Sequence, residues 1–225
     1  MASSSRRAKR ARALSESAPA EEIASLQNAL EHKAHTILWT HWPDKIVSLT
    51  TKIQALQAQP FRRTNNLAEN AGKTFPIHPE IQSIISRVKL EVVDLVNDLS
   101  LMITWVRLMR PRLEDGGNFG VEVQGDILNN LVQGRSSAIA VYSSVTQYYY
   151  VRGRILRRLK HAPHCADYAA SVHSCDAKQF SESVQILSDL RSIYLMLSDK
   201  INKNYDNLAK PKGGTSSRET RELYC

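Results

Sequence analysis

Apolar residues return along most of this chain at intervals of three, four and their sums, and no segment sustains the alternation of a half-buried strand. That spacing places them on one face of a helix. A first stripe runs through Ile23, Leu26, Leu30, Ile37, Ile46, Leu49, Ile53 and Leu56. Pro43 crosses it, and a residue without an N–H that also disfavours helical geometry at Trp42 predicts a kink or a short break. A second stripe, from Ile81 through Val88, Leu95 and Met102 to Val106, ends near Pro111. A third runs from Leu128 through Ala138 and Val145 to Leu159 and closes before Pro163. A fourth, from Phe180 through Leu187 and Tyr194 to Leu208, ends at Pro211 and Gly213-Gly214.

These stripes predict an all-α fold, an elongated antiparallel four-helix bundle. Its parts are a disordered basic tail over 1–20, an N-terminal helix over 21–58 and a linker over 59–79. A three-helix region over 80–212 completes the bundle, and a flexible tail covers 213–225. Nine glycines and eight prolines in 225 residues agree with few, long elements. Leu90, Val93, Leu101, Ile127, Val132 and Ile186 lie off the main stripes. They fit either burial against a neighbouring subunit or a wider core stripe.

Charge changes the picture at one end only. The net charge is +8, and Arg6, Arg7, Lys9, Arg10 and Arg12 stand in the first dozen residues, which hold no acid. Without those five the rest of the chain carries +3. The run fits a nuclear-import signal, a non-specific phosphate contact or a solvated tail. Arg152, Arg154, Arg157, Arg158 and Lys160 gather at one end of the third helix, too locally for a nucleic-acid-binding stripe along a helix. Three cysteines, Cys165, Cys175 and Cys225, form no disulfide framework and point to a reducing compartment. No apolar run reaches the roughly 18 residues of a membrane span, so a soluble, intracellular protein is expected.

Little here resembles catalysis. Ala71-Gly72-Lys73-Thr74 imitates the end of a phosphate-binding loop, but the required earlier glycine is Leu67. His161, His164, Cys165, His173 and Cys175 carry metal-ligand chemistry at spacings that match no strong zinc pattern. Glu114-Asp115 is an acid pair in a glycine-flanked loop, with little burial to separate its pKa values. No catalytic residue, metal site or cofactor is assigned, and an enzymatic role is not expected.

The distinctive stretch is Pro111-Arg112-Leu113-Glu114-Asp115-Gly116-Gly117-Asn118-Phe119-Gly120-Val121. Three glycines in five residues open backbone angles closed to other residues. The acids and Asn118 supply acceptors, and Phe119 is expected to anchor the loop on the bundle end. Such a loop on rigid supports suits recognition of a partner.

This stretch resembles the REG-type proteasome activators, or 11S regulators, whose pattern is Pro-Arg-Ile-Glu-Asp-Gly-Asn-Asn-Phe-Gly-Val. The resemblance extends over residues 36–212. It includes Trp42-Pro43-Asp44-Lys45-Ile46, Tyr148-Tyr149-Tyr150-Val151-Arg152-Gly153-Arg154, Lys160, Pro163, Asp167-Tyr168, Asp176, Leu190-Arg191, Tyr194, Lys203-Asn204 and Lys210-Pro211. It implies a heptameric ring, gamma-like and homo-oligomeric, that caps the α-subunit ring of the core proteasome and opens its gate without ATP. The residues carried over for the gate contact are Arg112, Glu114, Asp115, Gly116, Gly117, Asn118, Phe119 and Gly120. The C-terminal tail, Leu223, Tyr224 and Cys225, would dock between α-subunits, with seven weak sites adding through avidity. Gly117 replaces the first Asn of the family's pair. Cys225 extends a terminus that commonly ends in an apolar residue followed by Tyr. The basic N-terminus favours a nuclear location.

Overall fold

The computed structural model describes residues 2–59, 61–62, 75–111 and 119–209, with side chains from residue 19 onward. The elements are α1 (Ala2–Thr36), a π-helical turn (Ile37–His41), α2 (Trp42–Gln57), α3 (Pro79–Met109), α4 (Phe119–His161), α5 (Ala166–Lys203) and the short α6 (Tyr205–Ala209). Among the described residues there is no strand. The all-α expectation holds, and α1–α2, α3, α4 and α5 form the four bundle helices.

The first helix, α1, has helical backbone from Ala2 through Pro19 to Thr36. Just before Pro43 the α-helix is interrupted by the π turn Ile37–His41, without leaving helical geometry. Thr36, His41 and Trp42 all keep right-handed helical angles, and the Trp42 N–H donates to the Ile37 carbonyl five residues back. A proline ring collides with the carbonyl four residues before it, and the wide turn just upstream relieves that collision. Widening also shifts the buried face. Ala34, Leu38 and Trp42 are fully buried at intervals of four, while Ile23 and Leu26 at the start of the predicted stripe are exposed.

Helix α3 supplies the centre of the core, packing on α4 and α5, with α2 lying on α5. Its buried residues include Ile81, Ile85, Val88, Leu95, Leu99, Met102 and Val106, close to the predicted stripe. Of the off-stripe residues, Ile127 is core, Leu101, Val132 and Ile186 pack half-buried against it, and Leu90 and Val93 are exposed. A second small core, Leu156, Leu159 and Val172, closes the far tip of the α4–α5 hairpin, with Phe75 and Tyr168 packed against it.

Buried polar groups tie these helices together. Asp176 Oδ1 accepts from Tyr148 OH and from Arg152 Nε, both at 2.8 Å, and Arg152 Nη1 donates to the Pro76 carbonyl at 3.2 Å. Both charges are almost wholly buried. Burial, followed by the neighbouring Asp176 carboxylate, pushes the Tyr148 phenol far up, so it remains a donor. Between α2 and α3, Lys45 Nζ lies 2.7 Å from Glu91 and 2.6 Å from Asp94, and Lys52 lies 2.7 Å from Glu91. Trp42 Nε1 donates to Asp98 at 3.2 Å.

Asp176→Ala would leave the Arg152 guanidinium buried without its counter-ion, and it is expected to cost about 3–5 kcal/mol in denaturant unfolding. A loss under ~1 kcal/mol would contradict the pairing. For Glu91, burial acts to raise the carboxyl pKa, but the Lys45 and Lys52 contacts outweigh it and hold the value below 4.5. Its contribution is therefore complete above pH 4.5 and lost as pH falls through the lowered value. Glu91→Gln is expected to lose about 2 kcal/mol at neutral pH, mostly from Lys45, since the Lys52 pair is more exposed to screening. The difference should close in strong acid when the unfolding curves of both proteins are compared.

Candidate functional site at the loop end of the bundle

Helix α3 stops because Pro111 follows it. The preceding residue is forced toward extended geometry, and Arg110 has φ −68° and ψ 120°, its N–H bonded to the Arg107 carbonyl in a tightened last turn. Residues Arg112, Glu114, Asp115, Gly116, Gly117 and Asn118 of the expected contact loop lie outside the described residues, as do Leu223, Tyr224 and Cys225. The side chains of Arg6, Arg7, Lys9, Arg10 and Arg12 lie outside them too.

The two loop residues that are described, Phe119 and Gly120, open α4. Phe119 is 68% exposed, so it does not anchor the loop on the bundle as expected. The neighbours do so instead, since Gly120 and Val121 are both buried. A ring at position 119 points away from the axis of burial set by Val121, Gln124 and Ile127, which recur at three-residue steps along one face of α4.

The first turns of α4 also hold the root of the C-terminal segment. Gln124, itself buried, donates from Nε2 to the Leu208 carbonyl at 2.9 Å. Leu208 is fully buried, and α6 packs chiefly on α4. An aromatic cluster closes the same end. His35 stacks edge-on to Trp105 at 5.8 Å and to Tyr205 at 6.0 Å, and Trp39 meets Tyr205 at 5.5 Å. Tyr205 OH lies 3.3 Å from His35 Nε2. Burial raises the Tyr205 phenol pKa, so the hydroxyl stays protonated at neutral pH. Lys200 reaches from α5 to Asp126 on α4 at 2.7 Å. The ends of the chain's two candidate contact segments, 112–118 and 210–225, are thus fixed to one end of one bundle.

Sequence reasoning did not identify Gln124, His35 or Trp105 as supports for this site. A glutamine on a helix gives no sign that its amide will donate to a backbone carbonyl 84 residues away. Tyr205 and Leu208 were legible only as stripe residues.

Among the described residues no group of three or more His, Cys, Asp or Glu side chains converges on a point. Of the sequence's metal-ligand residue types, Cys175 has its thiol pKa pushed up by burial and then by Asp176, which disfavours the thiolate a metal would need. No helix described is long and apolar enough to cross a membrane.

Comparison with known proteins agrees with this geometry. The sequence profile described as Proteasome activator PA28, C-terminal, matches residues 74–218. Proteasome activator complex subunit 3 of Homo sapiens and of Gallus gallus are each 33% identical over 141 residues, 63% of this chain and 55% of theirs. The chain therefore spans little more than half the length of these relatives. The crystal structure of the 11S subunit of the Plasmodium falciparum proteasome, PA28, superposes with a TM-score of 0.71 at 25% identity, covering 85% of this chain and 93% of that one. The mutated P26 activator bound to an archaeal 20S proteasome shares the fold, with a TM-score of 0.65 at 12% identity over 85% of this chain and 95% of that one. With a profile match over most of its length and a bundle of the same fold, the chain belongs to the PA28 family of proteasome activators.

Proposed function

We propose that this chain is a non-catalytic subunit of a heptameric, ATP-independent cap on the core proteasome, which promotes peptide and ubiquitin-independent protein degradation. The observation that carries this reading is the Gln124–Leu208 hydrogen bond. It holds the start of the C-terminal tail against the helix that begins at the contact loop. A docking tail and a gate-contacting loop must reach the same surface, and here their roots share one end of the bundle. The loop 112–120 would press on the α-subunits, and Leu223, Tyr224 and Cys225 would enter pockets between them. Support comes from the P26 activator, whose structure is of a complex with a 20S proteasome.

The ring is homo-oligomeric in this reading, and a neighbouring subunit would cover the exposed Leu90 and Val93. Arg6, Arg7, Lys9, Arg10 and Arg12 would direct the assembly to the nucleus. No cofactor or metal is required, because the work is mechanical: binding energy from the tails is converted into displacement of the gate.

Hydrolysis of short fluorogenic peptides by purified core proteasome should rise severalfold on adding the protein. Removing Leu223 to Cys225 should abolish both the stimulation and comigration on a native gel, and stimulation that survives the truncation would refute tail docking. Gly117→Asn, which restores a side-chain amide, should increase stimulation without changing binding. Equal stimulation would assign the gate contact to backbone and Asn118. Gln124→Ala should leave the sedimentation coefficient unchanged yet raise the half-maximal activating concentration at least about tenfold, because small losses at each tail multiply through avidity.

A further inference from the structure

The opposite end of the molecule carries a feature that gate opening does not use. Helix α4 is 43 residues long, so its C-terminal end lies about 60 Å from the loop by the rise of an α-helix. There Arg154, Arg157, Arg158 and Lys160 are all exposed, followed by exposed His161 and His164. Over the packed stretch of α5, Ala166 to Cys175, the sole carboxylate is Asp167, in the first turn of that helix. The next acid, Asp176, is buried and committed to Arg152. Residues 75–78, which pack on this tip, contain no acid. Among the described residues, none of the four exposed cations has a carboxylate within ion-pair distance.

A helix C-terminus favours cations in its last turn, and Arg158, Lys160 and His161 satisfy that preference. Arg154 and Arg157 lie beyond it. They extend the positive surface back along α4 where the dipole gives them little stabilisation. Four like charges held on two turns repel one another, so the arrangement costs stability and needs another explanation.

We propose that the α4–α5 tip is an acceptor surface for acidic polypeptide segments. The inference rests on the cap reading, in which the loop end faces the core proteasome and this tip faces the solution from which chains enter. Repetition around a ring would place a set of weak, like-charged sites within reach of one extended chain, which raises capture through multivalency. The surface suits an acidic peptide better than a single-stranded nucleic acid. Nucleic-acid grooves present open aromatic faces for stacking. Here Tyr150 is exposed, but the Arg154 guanidinium covers its ring at 5.7 Å, and Tyr168 is packed into the small core.

The test measures fluorescence anisotropy of a labelled Glu-rich peptide and of its Gln counterpart on the full-length assembled protein. The wild type should bind the Glu peptide at least about tenfold more tightly. That preference should weaken as salt rises from about 50 to about 200 mM, and Arg154→Gln/Arg157→Gln/Arg158→Gln should remove it. All three side chains are exposed, so helix content and sedimentation of the variant should match the wild type. Equal binding of the two peptides, or a preference that survives the triple substitution, would overturn the proposal. So would tighter binding of a single-stranded RNA of matched length and charge. Hydrolysis of a short uncharged peptide by the core proteasome, run in parallel, reads the cap function alone and should be the same for wild type and variant. Failure there would remove the cap reading, while the anisotropy comparison still decides the acceptor surface.

Discussion

Long helices packed by apolar stripes face a sliding problem, because a shift of one turn exchanges similar side chains for similar side chains at little cost. In this bundle the buried pair Arg152–Asp176 removes that freedom between α4 and α5. Asp176 accepts from both Arg152 and Tyr148, and Arg152 also reaches the carbonyl of Pro76 on the segment leading into α3. A slip by one turn, about 5.4 Å, would strand two desolvated charges and a phenol. Such an ion pair adds little net stability compared with apolar residues of the same size, and its value lies in selecting one register. From that pin, Gln124 lies about 42 Å down α4 by helical rise. It meets the Leu208 carbonyl only if the register holds throughout. The contact at the functional end therefore depends on a charge pair near the other end.

The same logic applies between α2 and α3. Pro43 forces a local widening at Ile37–His41, which changes the angular position of every residue before it relative to those after. The Lys45–Glu91–Asp94 cluster and the Trp42–Asp98 hydrogen bond lie directly after this irregularity. They fix the phase of α2 against α3 where periodicity alone would leave it open. Burial raises the Asp98 carboxyl pKa against the opposing pull of His41 and Trp42, whereas at Glu91 the lysine contacts outweigh burial.

This explains which parts of the molecule could be read from sequence. The stripes of α3, α4 and α5 were legible because each is one uninterrupted α-helix, and a single period of 3.6 describes it. The first helix departs from the expected stripe at its start. Ile23 and Leu26 keep the period but stay exposed beside Leu101 and Leu108, while Ala34, Leu38 and Trp42 carry the burial across the π turn. The all-α fold and the breaks at Pro111 and Pro163 followed from spacing and proline chemistry. The supports of the candidate site did not, since Gln124, His35 and Trp105 act through contacts between positions distant in sequence. Phe119 failed for a related reason: a large aromatic beside a loop suggests an anchor, but helix phase places Val121 on the buried face instead.

The polarity of the bundle then gives the two ends different work. At the loop end, the aromatic side chains of His35 and Trp39 hold Tyr205 of α6, with Trp105 against His35, and Gln124 holds Leu208 to α4; in the proposed reading the flanking segments are the interacting parts. At the tip, the small core of Leu156, Leu159 and Val172 suffices to close the hairpin, and α4 is free to present its charges outward. An end that must transmit a displacement needs rigid support beneath short segments. An end that only gathers chains needs charge, repetition and solvent access, and a rigid helix about 60 Å long keeps those two requirements from interfering with each other.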